Sequence, residues 1–129
     1  MKPVLLRYLL VGSAGFIGAL ARVLLGDLIG KTASNFPLGT LVINITGSFL
    51  LGWFLEFCGA RHLSDTTRVA IGAGFIGTYT TFSTYMYDSN NLAEKGALHL
   101  ALANLILSVV LGLIAVKAGV LLARYQVSP

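Results

Sequence analysis

Charged side chains are scarce in this 129-residue chain, at 11%, where a soluble domain carries about a quarter. Apolar residues make up 56%, which points to an integral membrane protein and leaves no room for a separate soluble domain. Cysteine is nearly absent. Cys58 stands alone, so no internal disulfide forms, and at a helix end it packs as a small apolar group. The histidines, His62 in a loop and His99 near a helix start, lie far from Cys58 in sequence. That spacing excludes a His/Cys metal cluster and reads as surface or interfacial histidine. No Ser/His/Asp set and no phosphate loop is present, so nothing supports an enzyme. Acidic groups are missing from the middle of the first, second and fourth apolar stretches, apart from Glu56 near the end of the second. Proton-coupled transporters typically rely on such a carboxylate. The net charge is +4, but it forms no basic stripe, which argues against nucleic acid as a partner.

What is present is apolar length. A membrane span needs about 20 mainly apolar residues. Four stretches qualify, at residues 4–29, 38–58, 66–91 and 97–122, forming one integral membrane domain over 1–129. Turn-formers and charges fill the gaps at 30–37, 59–65 and 89–95. The expected fold is an all-α membrane protein of four transmembrane helices, with sequential helices antiparallel because the loops are short. Lys2, Arg7 and the Ala19-Leu20-Ala21 run also suit a cleavable signal peptide. The length of the apolar run and the three spans after it favour a retained helix. Lys2, Arg7, Arg61, Arg68, Lys117 and Arg124 fall on one side and Lys31 and Lys95 opposite. This is a mild bias toward cytoplasmic termini. Lys117 lies deep enough to weaken it, so insertion in both orientations stays open.

The third stretch contains GAGFIGTYTTFSTY at 72–85. Gly72, Gly74 and Gly77 are followed by Thr78, Thr80, Thr81, Ser83 and Thr84, with Phe82 and Tyr85 interleaved. Glycine and threonine are poor helix formers, which predicts a broken helix. Broken backbone at membrane depth is tolerated only inside protein or beside a water-filled cavity. Such breaks often mark ion or substrate sites. If helix resumes after the break, Phe82 and Tyr85 share a face. Their ring edges are positive enough to face an anion, while freed backbone carbonyls suit a cation. Taken alone, two such rings are more often lipid-facing or core aromatics.

Polar residues in the other spans are more ambiguous. Gly15, Gly18 and Arg22 share one helix face. The glycines suit close helix packing. Arg22 either has a functional partner in the membrane or snorkels to the interface. In GTLVINITGSFLLG at 39–52, Thr40, Asn44 and Gly47 share a face. Asn44 brings two N–H donors and one acceptor, for an interhelical bond or for an anion path. Asn104 and Ser108 share a face of the fourth span. Asp88 and Glu94 lie at or beyond the end of the third.

Three motifs resemble the Fluc (CrcB-like) fluoride channels: GALAR at 18–22, GTLVINITGSFLLG at 39–52 and GFIGTYTTFSTY at 74–85. The likeness covers nearly the whole chain, including the four-span layout. It implies a dual-topology, antiparallel homodimer in the cell inner (plasma) membrane, with two pores that carry fluoride out passively. The cytoplasmic concentration and toxicity of fluoride fall as a result. By the same resemblance, Asn44 is the pore asparagine donating to fluoride and Phe82 the first ring of an aromatic box. Ser83 and Thr84 form a polar track of hydroxyls. Gly77 and Thr80 supply backbone carbonyls to a structural sodium ion at the dimer centre. Arg22 lies near the pore entrance, and Ser108 is a polar position of the fourth helix. Fluoride is small and strongly hydrated, so a narrow row of amide and hydroxyl donors suits it better than chloride.

The chain departs from the family pattern twice. The second box phenylalanine is Tyr85, and the glycine usually following Gly77 is Thr78. The expected result is a working channel with altered rate. The alternative is a subunit needing a different homologous partner. A small multidrug-type transporter is a rival four-helix, dual-topology dimer, but it needs a glutamate in its first helix, and this chain has none there. A non-transporting scaffold would need neither Asn44 nor the hydroxyl row.

Overall fold

A computed structural model describes residues 3–30 and 35–128. Lys2 and Lys31, counted in the charge balance above, and half of the predicted first loop lie outside the described residues. The helices are α1 (Pro3–Gly30), α2 (Leu38–Ala60), α3 (Asp65–Val69), α4 (Gly77–Tyr79), α5 (Phe82–Glu94) and α6 (Leu98–Val127). A π-helical segment, Ala70–Ile76, joins α3 to α4. Among the described residues, three helices are long and apolar enough to cross a membrane: α1, α2 and α6. Residues 65–94, which contain the predicted third span at 66–91, are built from short pieces.

Local chemistry sets the ends of these elements. Ser64 caps α3, its Oγ accepting from the Thr67 N–H at 3.2 Å, and Asp65 complements the positive helix start. α5 closes on Gly96 at φ +76°, with Gly96 N–H donating to Ala93 C=O and Ala97 N–H to Leu92 C=O. This Schellman closure needs the left-handed backbone that glycine adopts without strain. α2 ends the same way with His62 at φ +50°. The exposed His62 is therefore a turn residue, its N–H donating to Gly59 C=O and that of Leu63 to Cys58 C=O.

α6 runs on to Val127, past the predicted end near 122. Its last turn is tied to α2 by Arg124 Nε on Glu56 Oε1 and by Trp53 Nε1 on Gln126 Oε1, both at 2.8 Å. These contacts keep a polar segment helical beyond the apolar run.

Two helix pairings organise the bundle. α2 packs along α6, and α1 packs on the π-helical segment. Both use small residues to bring backbones together, as expected where lipid is as apolar as the side chains. A Cβ on Gly52 would collide with Val116 C=O, and one on Gly119 with Phe49 C=O. The apolar core gathers Phe54, Cys58 and Ile76 with Leu51, Trp53, Leu55 and Phe75. Phe16, Leu24, Ile106 and Ile114 instead point outward, an arrangement suited to lipid.

Candidate functional site

The helical backbone between α4 and α5 breaks at Thr80 and Thr81. Both are extended, at φ −81°, ψ 161° and φ −148°, ψ 115°. The break falls after the glycines; Gly72 and Gly74 take up the π-helical turn instead, and Gly77 opens α4. A residue in extended backbone loses its helical hydrogen-bond partners, so its N–H and C=O need others. Asn44 of α2 supplies both. Its Nδ2 donates to Thr81 C=O at 3.0 Å, and its Oδ1 accepts from Thr81 N–H at 2.8 Å. One turn along the same face, Gly47 lets the break lie against α2, because a Cβ there would collide with the Thr80 methyl.

Thr81 also restarts the helix. Its Oγ1 accepts from Thr84 N–H at 3.2 Å, an N-cap, and donates to Thr84 Oγ1 at 2.9 Å. Thr84 Oγ1 is thereby the acceptor, and its own hydroxyl proton is available to another partner. Asn44 has a second amide N–H beyond the one donated to Thr81. Ser108 Oγ is buried and has no hydrogen-bond partner among the described residues. These three donors lie on both sides of the break.

Two cavities meet there, with Thr81 lining each. The larger, about 560 Å³, is lined by Arg22 and Asp27 of α1, Thr40 and Ile43 of α2, and Thr84 and Asp88 of α5. The smaller, about 300 Å³, is lined by Asn44, Ser48, Thr80, Phe82, Tyr85 and Ser108 among others. The structure thus gathers Asn44, Phe82, Tyr85 and Ser108 at one cavity and places Arg22 and Thr84 at the other. Ser83 and Gly77 line neither. Ser83 is exposed, with its hydroxyl 3.4 Å from that of Thr81.

Tyr85 is buried at 6% exposure, whereas Phe82 is 73% exposed. Their rings meet edge-to-face at 5.9 Å and 67°. The Tyr85 phenol donates to Leu105 C=O of α6 at 2.9 Å. Behind it, Asn104 Nδ2 donates to Ser89 Oγ, which donates to Tyr85 C=O. This buried network fastens α5 to α6.

Gly77 opens the single-turn α4 and Thr80 is its C-cap, so both carbonyls belong to the unextended end of this short helix. The N–H that would extend the helix onto Gly77 C=O belongs to Thr81 and is engaged by Asn44. Gly77 C=O keeps a 3.5 Å contact from the Thr80 hydroxyl. An exposed carbonyl at a helix C-terminus is an oxygen ligand suited to a hard cation.

Asp88 was not singled out from the sequence. Its Oδ2 accepts from Thr40 Oγ1 at 2.7 Å, joining α5 to α2 across the larger cavity. The signal was available, since Thr81, Thr84 and Asp88 follow the three- and four-residue spacing of one helix face. Asp27, at the far end of α1, was also passed over.

Comparison with known proteins identifies the lineage. Residues 9–120 match the model of the family described as CrcB-like protein, Camphor Resistance (CrcB). The chain is 41% identical over 113 residues to the fluoride-specific ion channel FluC 2 of Clostridium acetobutylicum, covering 87% of this chain and 93% of that protein. It is 42% identical over 112 residues to the fluoride-specific ion channel FluC 3 of Methanosarcina barkeri, covering 86% and 85%. It is 39% identical over 121 residues to the fluoride-specific ion channel FluC of Solibacter usitatus, covering 92% and 99%.

Proposed function

The chain belongs to the CrcB-like family, and we propose that it is a fluoride-selective channel of the plasma membrane. It is a multi-pass membrane protein that lets cytoplasmic fluoride leave passively and so lowers its concentration and toxicity. It catalyses no reaction. The observation that carries this reading is the break at Thr80–Thr81, held by Asn44 between two cavities, with donors on both sides.

The proposed path enters at the larger cavity, where Arg22 shares the lining with Asp27 and Asp88 and the Thr84 hydroxyl donates. It passes the break and continues along the smaller cavity. There the second N–H of Asn44, the Ser108 hydroxyl and the ring edges of Phe82 and Tyr85 face the ion. Hydrogen-bond donors replace the water that a small anion must shed. Ser83 is a further hydroxyl of the track, beside Thr81.

Residues 65–94 form the remaining membrane crossing. Their broken backbone is satisfied by protein groups, which membrane depth requires. A second, antiparallel copy covers the face carrying Phe82 and Gly77, both exposed on the single chain. The carbonyls of Gly77 and Thr80 fit a sodium ion in donor chemistry. One chain brings two of them, so the matching pair of a partner copy would complete the oxygen set. Bound there, the ion would offset the carbonyl dipoles at the broken helix end.

Fluoride release from liposomes holding the purified protein, read with a fluoride electrode beside a chloride control, tests the channel. Fluoride should leave and chloride stay. Asn44→Ala should slow release about ten-fold or more, because it strands two buried backbone groups at the break. Equal chloride release, or no fluoride release from a folded dimer, overturns the proposal.

A further inference from the structure

α1 carries Arg22 into the larger cavity, and the break carries Thr81 and Thr84 into it from another element. Something must set the height of one against the other. Two bonds locate α2 relative to the break, through Asn44 and through Thr40 on Asp88. For α1 the corresponding side-chain contact is Thr78. Its Oγ1 lies 2.9 Å from Gly15 C=O of α1, 2.7 Å from Gly74 C=O and 3.1 Å from Phe75 C=O.

The fit is close on both sides. α1 presents a notch formed by Gly15 and Gly18, and a Cβ on Gly18 would collide with both Phe75 C=O and Thr78 Oγ1. Arg22 lies on the same face, four residues beyond Gly18. Along the chain, Thr78 is two residues before the break. One hydroxyl thus touches α1 below its arginine, and the turn that leads into the break.

We propose that Thr78 is a positioning residue for permeation, its hydroxyl pinning α1 to the turn before the break so that Arg22 and the Thr84 hydroxyl face one another across the larger cavity. This rests on the channel reading above. Thr78 lines neither of the two cavities, so it acts through these groups and not on the ion.

Single-channel recording in planar bilayers separates positioning from folding. A structural loss lowers the number of channels that insert, whereas mispositioning lowers the current through each one. Thr78→Val keeps the shape of the side chain and removes the donor. It should lower the fluoride conductance of each channel about three-fold or more, the scale of one interhelical hydrogen bond. Thr78→Ser, which restores the donor, should remain within about two-fold of wild type. An unchanged conductance in Thr78→Val overturns the proposal. So does a Thr78→Ser channel as slow as Thr78→Val, or a Thr78→Val protein whose loss lies wholly in folding. A wild-type protein without fluoride current removes the channel reading and this inference together, whereas normal currents in both removes this inference alone.

Discussion

Residues 70–79 and residues 82–94 lie on either side of one break, yet they are held by opposite means. Before the break, the backbone lies close against α1 because Gly18 and Gly74 carry no side chain, and the Thr78 hydroxyl on Gly15 C=O is the one side-chain bond added there. After it, α5 is held by side chains that are present: the Thr81 cap, Asp88 on Thr40, and the Tyr85 and Asn104 bonds to and from α6. Close backbone approach tolerates no added atom. Side-chain bonds can each be lost singly at modest cost. One side of the break thus acts as a rigid mount while the other carries adjustable chemistry.

The sharpest way to break this comparison is to fill the notch. Gly18→Val places a Cβ against Phe75 C=O, a backbone group that cannot turn aside. Overpacking of this kind costs about 1–3 kcal/mol or more, and little folded protein should survive size-exclusion chromatography in detergent. Gly12→Val on the same helix meets nothing within 4 Å and should behave as wild type. Equal damage from both would mean that the glycine content of α1 matters and the notch does not.

On the other side the effects should be graded. Thr81→Ala removes the α5 cap but leaves the backbone clasp to Asn44. Thermal unfolding should register a loss of about 1 kcal/mol. A much larger loss would show that cap and clasp act as one unit. Tyr85→Phe should do least, since an interhelical bond in a membrane protein averages about 0.6 kcal/mol. The phenol is engaged by Leu105 C=O, so fluoride flux should stay within about three-fold of wild type. A larger change would place the phenol in the ion's path and bear out the altered rate expected from the departure at Tyr85.

Much of this was legible in the residues themselves. The apolar runs marked α1, α2 and α6 to within a few residues, except where Arg124 and Trp53 extend α6 through contacts between distant segments. The concentration of glycine and threonine located the irregular segment. Composition did not say that the glycines would form a π-helical turn and that the break would fall at Thr80–Thr81. Asn44 stood out as a polar residue in an apolar helix, but its partner is 37 residues away in the chain. Asp88 was read as lying at the end of a span, because its tie to Thr40 is visible only once α5 is placed against α2.

The residues alone mark a chain for lipid, the approximate extents of its long helices, the location of its irregular segment and, through its motifs, its family. These are properties of local composition and periodicity, set by hydropathy and backbone preference within a few turns. Only the tertiary structure decided which donors are already engaged and which face a cavity. A hydrogen bond takes up a particular proton, and its partner is chosen by how separate helices pack. Thus Asn44 holds the break with one amide N–H and keeps the other, Tyr85 turns its phenol to α6, and Thr78 fills a notch on α1.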